Sequence, residues 1–259
     1  MPFVDVNGAN TYYELAGASA SPALVFSNSL GTNFTMWDAQ TTALGNDFEI
    51  LRYDTRGHGS SAVTPGPYTI AQLTDDVLSL LDRLEIDQAN FCGLSMGGMI
   101  GMTLALRFPN RVRKLVLCNT APRIGTAEVW NTRISTVQQK GMAGLTDTVI
   151  ERWYTSQFRK NSPDQIQATR EMLLQTAPDG YAACCAAIRD ADLWKALPEI
   201  RVPTMIILGK YDPVIPLEQG PLMADRIPGA HYVELPAAHL SNIETSEAFT
   251  RELTAFLKS

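Results

Sequence analysis

Short apolar runs alternate with amphipathic segments along most of the chain. Six runs are rich in β-branched and other apolar residues, at positions 23–27, 48–54, 89–93, 114–120, 204–209 and 231–235. Several of them are almost continuously apolar, which is typical of strands buried on both faces of a parallel sheet. The pattern therefore predicts six strands of a mostly parallel sheet.

Between these runs, apolar residues recur at helical spacing. In residues 69–86 one helix face is formed by Ile70, Leu73, Val77, Leu80, Leu81 and Leu84. Near the C-terminus the same spacing is found in Phe249, Leu253, Phe256 and Leu257. Strands that alternate with helices predict an α/β fold in which helices flank the sheet.

Residues 121–196 interrupt this alternation. The segment contains helical patterns but no convincing strand, and it is punctuated by Gly141, Gly144, Pro163 and Pro178. We interpret it as a helical lid inserted into a core formed by residues 1–120 and 197–259. The alternative is a set of additional helices packed on the edge of the sheet.

Composition excludes several classes of function. The 259 residues are 45% hydrophobic and 19% charged, as expected for one globular domain that carries an insertion. The net charge of −6 and the absence of a Lys/Arg block argue against nucleic acid or an anionic membrane as partner. No apolar run approaches the length of a membrane span. We expect a monomer or a small homo-oligomer.

Two features concern the cellular compartment. The N-terminal residues MPFVDVNGANTYYE predict strand and turn, and they lack the basic and apolar regions of a signal peptide. The four cysteines form no metal-ligand pattern with histidines, so we interpret them as buried free thiols in a reducing cytoplasm. They are Cys92, Cys118, Cys184 and Cys185.

The stretch GLSMG (93–97) has the form G-x-S-x-G. It follows an apolar strand and precedes a helical segment, as in a nucleophile elbow, the sharp turn that exposes a serine above a sheet. The glycines leave room where strand and helix come close together. We therefore predict that Ser95 is a nucleophile. The N–H of the next residue, Met96, would be one oxyanion donor.

A serine hydroxyl needs a base, and the sequence offers three histidines. His58 follows a strand in DTRGHGSS, where it is expected to build a hydrogen-bonded loop. His231 opens a strand and is expected at the surface. His239 follows the last strand on a loop that leads to the final helix, at the same sheet edge as Ser95. We predict that His239 is the base.

The third catalytic group is expected to be an acid at another strand end. Asp212 follows the strand at 204–209, and the order Ser, Asp, His is typical of such folds. The other strand-end position that can carry the acid holds Asn119. We therefore predict Asp212 as the acid.

These features resemble the α/β-hydrolase family. The family usually has His-Gly-x after the third strand, and the corresponding positions here are Asn28, Ser29 and Leu30 in NSLG. The resemblance implies that the N–H of Leu30 is the second oxyanion donor. The departure from His-Gly does not prevent this role, since a backbone N–H does not depend on the side chain.

A narrower resemblance covers most of the chain and includes the predicted lid. Eight segments are similar to the 3-oxoadipate enol-lactonases of the β-ketoadipate pathway: NSLGTNFTMWD, LRYDTRGHGSS, GPYTIAQL, FCGLSMGGMIG, LVLCNTAPRIG, ERWYTSQF, GYAACCAAIRDAD and AAHLSNIE. The resemblance implies hydrolysis of a small anionic lactone through an acyl-enzyme on Ser95. It implies no metal and no organic cofactor.

A carboxylate on the substrate calls for a cation in an acidic protein. Of the arginines in the predicted lid, we select Arg133, because it follows Trp130 by three residues and can share its helix face. A guanidinium can bind a carboxylate through two hydrogen bonds. Trp130 and Trp153 are predicted to wall the pocket. For each of the three, a solvated charge or simple packing is the alternative.

Other functions fit the same residues. Within hydrolases these are a general carboxylesterase, a cofactor-independent perhydrolase and a C–C bond hydrolase. A dehalogenase is disfavoured because that chemistry uses an aspartate at the position of Ser95. A non-catalytic receptor for a small ligand is the alternative from a different class, since a fold does not fix a function.

Overall fold

The computed structural model describes residues 3–259 and contains one eight-stranded sheet. The strands are β1 (Phe3–Val6), β2 (Ala9–Gly17), β3 (Ala23–Ser27), β4 (Glu49–Tyr53), β5 (Ala89–Leu94), β6 (Val112–Cys118), β7 (Thr204–Gly209) and β8 (His231–Leu235). Their spatial order is β1-β2-β4-β3-β5-β6-β7-β8. All six predicted strands are confirmed. The predicted N-terminal strand and turn correspond to β1 and β2, and residues 1 and 2 of that prediction lie outside the described residues.

The sheet is parallel except at one edge. β1 pairs antiparallel with β2, and β2 pairs antiparallel with β4, whereas the remaining neighbours are parallel. Every residue of β3, β5 and β7 is buried, because helices cover both faces of the sheet. The predicted α/β fold is confirmed. The carboxyl ends of the parallel strands meet at one edge, where ligands bind in sheets of this type.

The helices are α1 (Asp38–Leu44), α2 (Ile70–Arg83), α3 (Met96–Arg107), α4 (Ala127–Lys140), α5 (Thr146–Trp153), α6 (Ser156–Asn161), α7 (Pro163–Gln175), α8 (Pro178–Arg189), α9 (Gln219–Ala224), α10 (Ser241–Glu244) and α11 (Ser246–Lys258). The predicted helical faces occur in α2 and α11. The α2 N-terminus is capped by Thr69, whose hydroxyl accepts a hydrogen bond from the N–H of Gln72 at 3.0 Å. Within residues 3–259, no helix is both long and apolar enough to cross a membrane.

Residues 121–196, which we call the helical insertion, connect β6 to β7. They form α4 to α8, and this part of the described chain contains no strand. Pro163 and Pro178 occupy the first positions of α7 and α8, where a missing N–H costs nothing. Gly141 ends α4 with φ of 65° and ψ of −171°, a backbone conformation that favours glycine. That the helical insertion acts as a lid stays a prediction.

The helical insertion is attached to the core by close backbone contacts. A Cβ atom added to Gly180 of α8 would lie 2.2 Å from the carbonyl oxygen of Gly57. Only glycine permits this approach. Near the end of α5, the N–H of Leu240 donates to the carbonyl of Trp153 at 3.1 Å. The carboxylate of Glu244 accepts hydrogen bonds from the N–H of Ala238 and from Thr155, which caps α6.

The four cysteines are free and buried, as predicted. Burial raises the pKa of the Cys184 and Cys185 thiols, so that both favour the neutral form. Cys92 and Cys118 lie on neighbouring strands with their sulfur atoms 3.7 Å apart.

Candidate active site

Ser95 occupies the turn between β5 and α3 in a strained backbone conformation. Its φ is 57° and its ψ is −113°, values that are rare for a residue with a side chain. The turn is tight: a Cβ atom on Gly93 would lie 2.2 Å from the Gly97 carbonyl oxygen, and one on Gly97 would lie 2.3 Å from the Ser27 carbonyl oxygen. The two glycines of the motif are therefore required for the turn. Ser95 itself is only 6% exposed.

Asp212 and His239 lie at the ends of neighbouring strands and are hydrogen bonded to each other. The distance from His239 Nδ1 to Asp212 Oδ2 is 2.8 Å. The other carboxylate oxygen accepts the N–H groups of Val214 and Ile215 at 2.7 and 3.1 Å. Both side chains are buried. This arrangement fixes the imidazole so that Nε2 is the nitrogen available to a reacting group.

Asn119, at the end of β6, completes the surroundings of Asp212. Its Nδ2 donates to Asp212 Oδ2 at 2.9 Å and to the Ala238 carbonyl at 3.2 Å. Its Oδ1 accepts the hydroxyl of Ser241 at 2.6 Å. From the sequence, Asn119 was notable only because it occupies a strand-end position that could have carried the acid. In the structure it is a neutral donor to Asp212, the predicted acid.

One small cavity brings most of the predicted residues together. Its lining includes Ser95 and His239, and the remaining wall is formed by Ser29, Leu30, Ile124, Trp130, Arg133, Val149, Arg152, Trp153 and Val214. Asp212 does not line the cavity, but it is hydrogen bonded to His239, which does. Within residues 3–259, the Ser95 hydroxyl forms no hydrogen bond to another side chain, and such contacts often tighten only when substrate binds.

The N–H groups of Leu30 and Met96 form no hydrogen bond with any other part of residues 3–259. The N–H of Gly97 donates to the Asn28 carbonyl at 3.1 Å, and this bond holds the two backbone segments side by side. Leu30 lines the same cavity as Ser95, and Met96 directly follows Ser95 in the chain, so two free N–H groups lie in the segments around the serine. Their role as oxyanion donors stays a prediction.

Two guanidinium groups line the cavity. Arg133 lies over the Trp130 ring, with 5.2 Å between its Cζ and the ring centroid, and donates to the Tyr181 hydroxyl at 3.2 Å. The pKa of Arg152 is lowered mainly by burial and to a smaller extent by the charge of Arg133. Across residues 3–259, neither arginine forms an ion pair with a carboxylate. The cavity is therefore suited to an anion.

Two histidines are excluded from this cavity. His58 is wholly buried in the loop after β4, and its Nε2 accepts the N–H of Gly31 at 2.9 Å. Burial lowers the pKa of His58 to about 4, so that the ring is neutral. His231 lies exposed at the start of β8. Both positions agree with the expectations from sequence.

Sequence reasoning missed the contribution of Arg152. The residue precedes Trp153, which was selected as a wall of the pocket, and this adjacency was the available signal. It could not be separated from the other arginines of the insertion because only the fold decides which of them lack an acidic partner. For example, Arg170 pairs with Asp147 at 2.6 Å.

The fold and this arrangement of residues define a class of protein. Residues 22–246 match the family model of the α/β hydrolase fold, and the chain belongs to this family. The predicted family resemblance is thereby confirmed.

Within the family, the chain is similar to enol-lactonases. It is 40% identical to 3-oxoadipate enol-lactonase 2 of Acinetobacter baylyi, over 95% of this chain and 92% of the relative. The crystal structure of the enol-lactonase from Burkholderia xenovorans LB400 is 46% identical, with a TM-score of 0.98 and full coverage of both chains. A thermophilic esterase from Thermogutta terrifontis, solved with malate bound, is 28% identical with a TM-score of 0.92, over 100% of this chain and 97% of its own.

We predict that Asn119→Gly lowers kcat for p-nitrophenyl acetate about tenfold or more, because a hydrogen bond to a buried charge contributes about 1.5–3 kcal/mol. Glycine is chosen because Asn119 has φ of 42°, which alanine would tolerate poorly. Steady-state kinetics measure the change, and thermal unfolding reports on the fold.

The matched control is Ser241→Ala. It removes the hydroxyl that donates to Asn119 but leaves the Asn119–Asp212 hydrogen bond in place. A smaller loss of kcat is expected for this variant. Equal losses in both variants would contradict a specific role for the bond to Asp212.

A second prediction concerns stability in acid. The pKa of His58 is about 4 when folded and about 6.5 when unfolded, so between these values the unfolded chain binds an additional proton. The free energy of unfolding should therefore fall as pH decreases through this window, by about 3 kcal/mol from this residue. When the pH is lowered from 7 to 4, the free energy of unfolding of His58→Gln should therefore rise relative to that of wild type by about 3 kcal/mol.

Denaturant titrations at both pH values measure this difference. Burial raises the pKa of Asp54 to about 6, so this residue increases the free energy of unfolding as the pH falls. Asp54 is present in both proteins, and its effect cancels in the comparison. His231→Gln, at an exposed position, is the control. The same pH dependence in wild type and His58→Gln would contradict the prediction.

Proposed function

We propose that this α/β hydrolase opens 3-oxoadipate enol-lactone to 3-oxoadipate through an acyl-enzyme on Ser95. The observation that carries the proposal is one cavity in which Ser95 and His239 face two arginines that lack acidic partners among residues 3–259. Relatives named as 3-oxoadipate enol-lactonases, at 40% and 38% identity, support the choice of substrate.

In the first half-reaction Ser95 Oγ attacks the lactone carbonyl while His239 accepts the hydroxyl proton. Asp212 orients the imidazole and stabilises its charged form. The N–H groups of Leu30 and Met96 hold the oxyanion of the tetrahedral intermediate. The ring C–O bond then breaks, and the leaving enolate oxygen takes the proton from His239, which returns the imidazole to its neutral form. The resulting enol tautomerises to the ketone.

In the second half-reaction water attacks the acyl group on Ser95. His239 takes a proton from that water and returns it to Ser95 Oγ as the ester bond breaks. An enolate is a better leaving group than a simple alkoxide. Positioning and oxyanion stabilisation can therefore supply most of the acceleration. No step of this sequence calls for a metal or an organic cofactor.

The substrate carboxylate is proposed to bind Arg133 and Arg152, with Trp130 and Trp153 enclosing the ring. The cavity has a volume of about 20 Å³, which holds about one water molecule. The lactone is much larger, so the site must open to admit it. We propose that part of the helical insertion, residues 121–196, acts as the lid. The proposed setting is the cytoplasm and the β-ketoadipate pathway.

The primary test follows the ultraviolet absorbance of freshly prepared 3-oxoadipate enol-lactone with wild type and Ser95→Ala, beside p-nitrophenyl acetate as a neutral ester. Wild type should consume the lactone rapidly and saturably, with a strong preference over the ester. Ser95→Ala should lose both activities. Ester turnover without lactone turnover would retain the proposed nucleophile and reject the substrate. Turnover of neither would favour a receptor.

The role of the arginines is tested by Arg133→Ala and Arg152→Ala. Each should raise KM for the lactone about 10- to 100-fold, because each removes a charge-assisted hydrogen bond to the carboxylate. Turnover of neutral p-nitrophenyl acetate should change little. Arg170→Ala is the matched control, since Arg170 also lies in the insertion but pairs with Asp147. If Arg133→Ala or Arg152→Ala lowered kcat/KM equally for the lactone and for p-nitrophenyl acetate, the proposed role in binding the carboxylate would be rejected.

A further inference from the structure

The residue that follows the proposed oxyanion donor is held by a buried histidine. Gly31, directly after Leu30, donates its N–H to His58 Nε2 at 2.9 Å. His58 lies in the loop after β4, is 1% exposed and does not line the cavity that contains Ser95. The contact joins two segments that are 27 positions apart in the sequence. None of the proposed catalytic steps uses this imidazole.

The protonation state of His58 follows from its neighbours. Because Nε2 accepts a hydrogen bond, the proton of the neutral ring resides on Nδ1, which faces the Arg56 carbonyl at 3.4 Å. Cys184 Sγ lies 3.9 Å from the same nitrogen. Burial lowers the pKa of His58, so the ring stays neutral and keeps its acceptor. His58 therefore presents one fixed lone pair to Gly31.

The peptide groups on both sides of Leu30 are restrained. The Ser29 carbonyl belongs to the same peptide unit as the Leu30 N–H, and it accepts the hydroxyl of Thr32 at 2.8 Å. The next peptide unit donates through Gly31 to His58. The Gly31 carbonyl in turn accepts the hydroxyl of Thr176 at 3.2 Å. Successive peptide planes are thus fixed, and the direction of the Leu30 N–H is fixed with them.

Gly31 cannot relax away from His58 at low cost. Its φ is 83°, and a Cβ atom there would lie 3.0 Å from the side chains of Leu173 and Tyr181. These residues of the helical insertion therefore pack directly against the loop, and the Tyr181 ring is also a neighbour of the His58 ring, at 6.5 Å between centroids. If His58 lost its acceptor, the buried N–H of Gly31 would have to find another partner by turning its peptide plane.

We propose that His58 is a positioning residue for the oxyanion hole, which it aligns by holding the peptide that follows Leu30. The proposal rests on the proposed function insofar as Leu30 is the oxyanion donor. It does not depend on the lactone being the substrate, since any ester would use the same N–H. His58 acts through Gly31 and touches no reacting atom.

The experiment compares His58→Phe with His58→Gln. Phenylalanine keeps a planar ring but has no acceptor, whereas the Gln carbonyl can accept the N–H of Gly31. With p-nitrophenyl acetate, His58→Phe should lower kcat roughly 10- to 100-fold with little change in KM, because the loss falls on the transition state. His58→Gln should recover most of kcat. The amide of His58→Asn is too short to reach Gly31, so kcat of this variant should be as low as that of His58→Phe. His58→Asn replaces His58→Phe in the comparison if the Phe variant does not fold.

A second readout separates alignment from general loosening of the fold. A trifluoromethyl ketone binds by adding Ser95 Oγ to its carbonyl carbon, while the hydroxyl proton passes to His239 and the carbonyl oxygen becomes an oxyanion. Across the His58 variants, its inhibition constant should weaken in proportion to kcat/KM. The KM of the ester should not follow that trend. Thermal unfolding of each variant is measured in parallel.

The outcomes are distinct. An unchanged kcat for His58→Phe, or equally impaired Gln and Phe variants, would overturn the role of His58 and leave the proposed function intact. Inhibitor affinity that does not follow kcat/KM would also overturn it. Wild type that turns over the ester but not the lactone would reject the proposed substrate, and the comparison of His58 variants would still stand.

Discussion

The backbone conformation of Ser95 is the constraint on which the rest of the site depends. Holding a residue with a side chain at φ of 57° and ψ of −113° costs about 1–3 kcal/mol, and the surrounding structure must offset this cost. It does so at the ends of β6 and β3, the two strands that flank β5. The N–H of Ser95 donates to the Cys118 carbonyl at 2.9 Å, and its own carbonyl accepts the Thr120 hydroxyl at 2.7 Å. Gly97 packs directly on Ser27.

These contacts explain why the site lies where it does. The turn can close only if β3 and β6 end beside β5, and the parallel register provides this. The same contacts bring the segment after β3, which contains Leu30, next to the N-terminus of α3. The end of β6 also delivers Asn119 to Asp212. One strained turn therefore organises the proposed nucleophile Ser95, both free N–H groups and the hydrogen bond from Asn119 to Asp212.

Charge in the cavity complements that geometry. The chain carries a net charge of −6, yet Arg133 and Arg152 face the cavity with Asp212 as the nearby carboxylate. Unpaired cations near a buried site are costly unless an anion neutralises them. The proposed substrate would supply one negative charge, and the proposed oxyanion would supply a second at the transition state. In the low dielectric of a closed cavity, both interactions are stronger than in water.

Much of this arrangement was predictable from sequence because it depends on local patterns. Apolar runs identified the six parallel strands, and G-x-S-x-G identified the strained turn. The rule that parallel strands end at one edge then selected Asp212 and His239. What could not be predicted is non-local. The donation from Asn119 to Asp212 spans 93 positions, and the isolation of Arg152 depends on which acids fold beside other arginines. The contact from Gly31 to His58 likewise requires the two loops to be folded together.

The helical insertion is bound to the core beside the candidate active site. Thr176 bonds to Gly31 in the segment of the proposed oxyanion donor, and Gly180 abuts Gly57 in the loop that carries His58. Leu240, next to His239, donates to Trp153.

Rigid displacement of the whole insertion would break all of these contacts and disturb both sides of the site at once. The helix α4 is different, since its polar contacts are largely with the insertion itself, through Arg133 to Tyr181 and Asn131 to Arg189. α4 also packs extensively on α8, so the insertion holds Trp130 and Arg133 at the cavity. The place of these two side chains in the cavity wall therefore depends on how α4 packs on α8, whereas Leu30 and His239 are placed by the segments that follow β3 and β8.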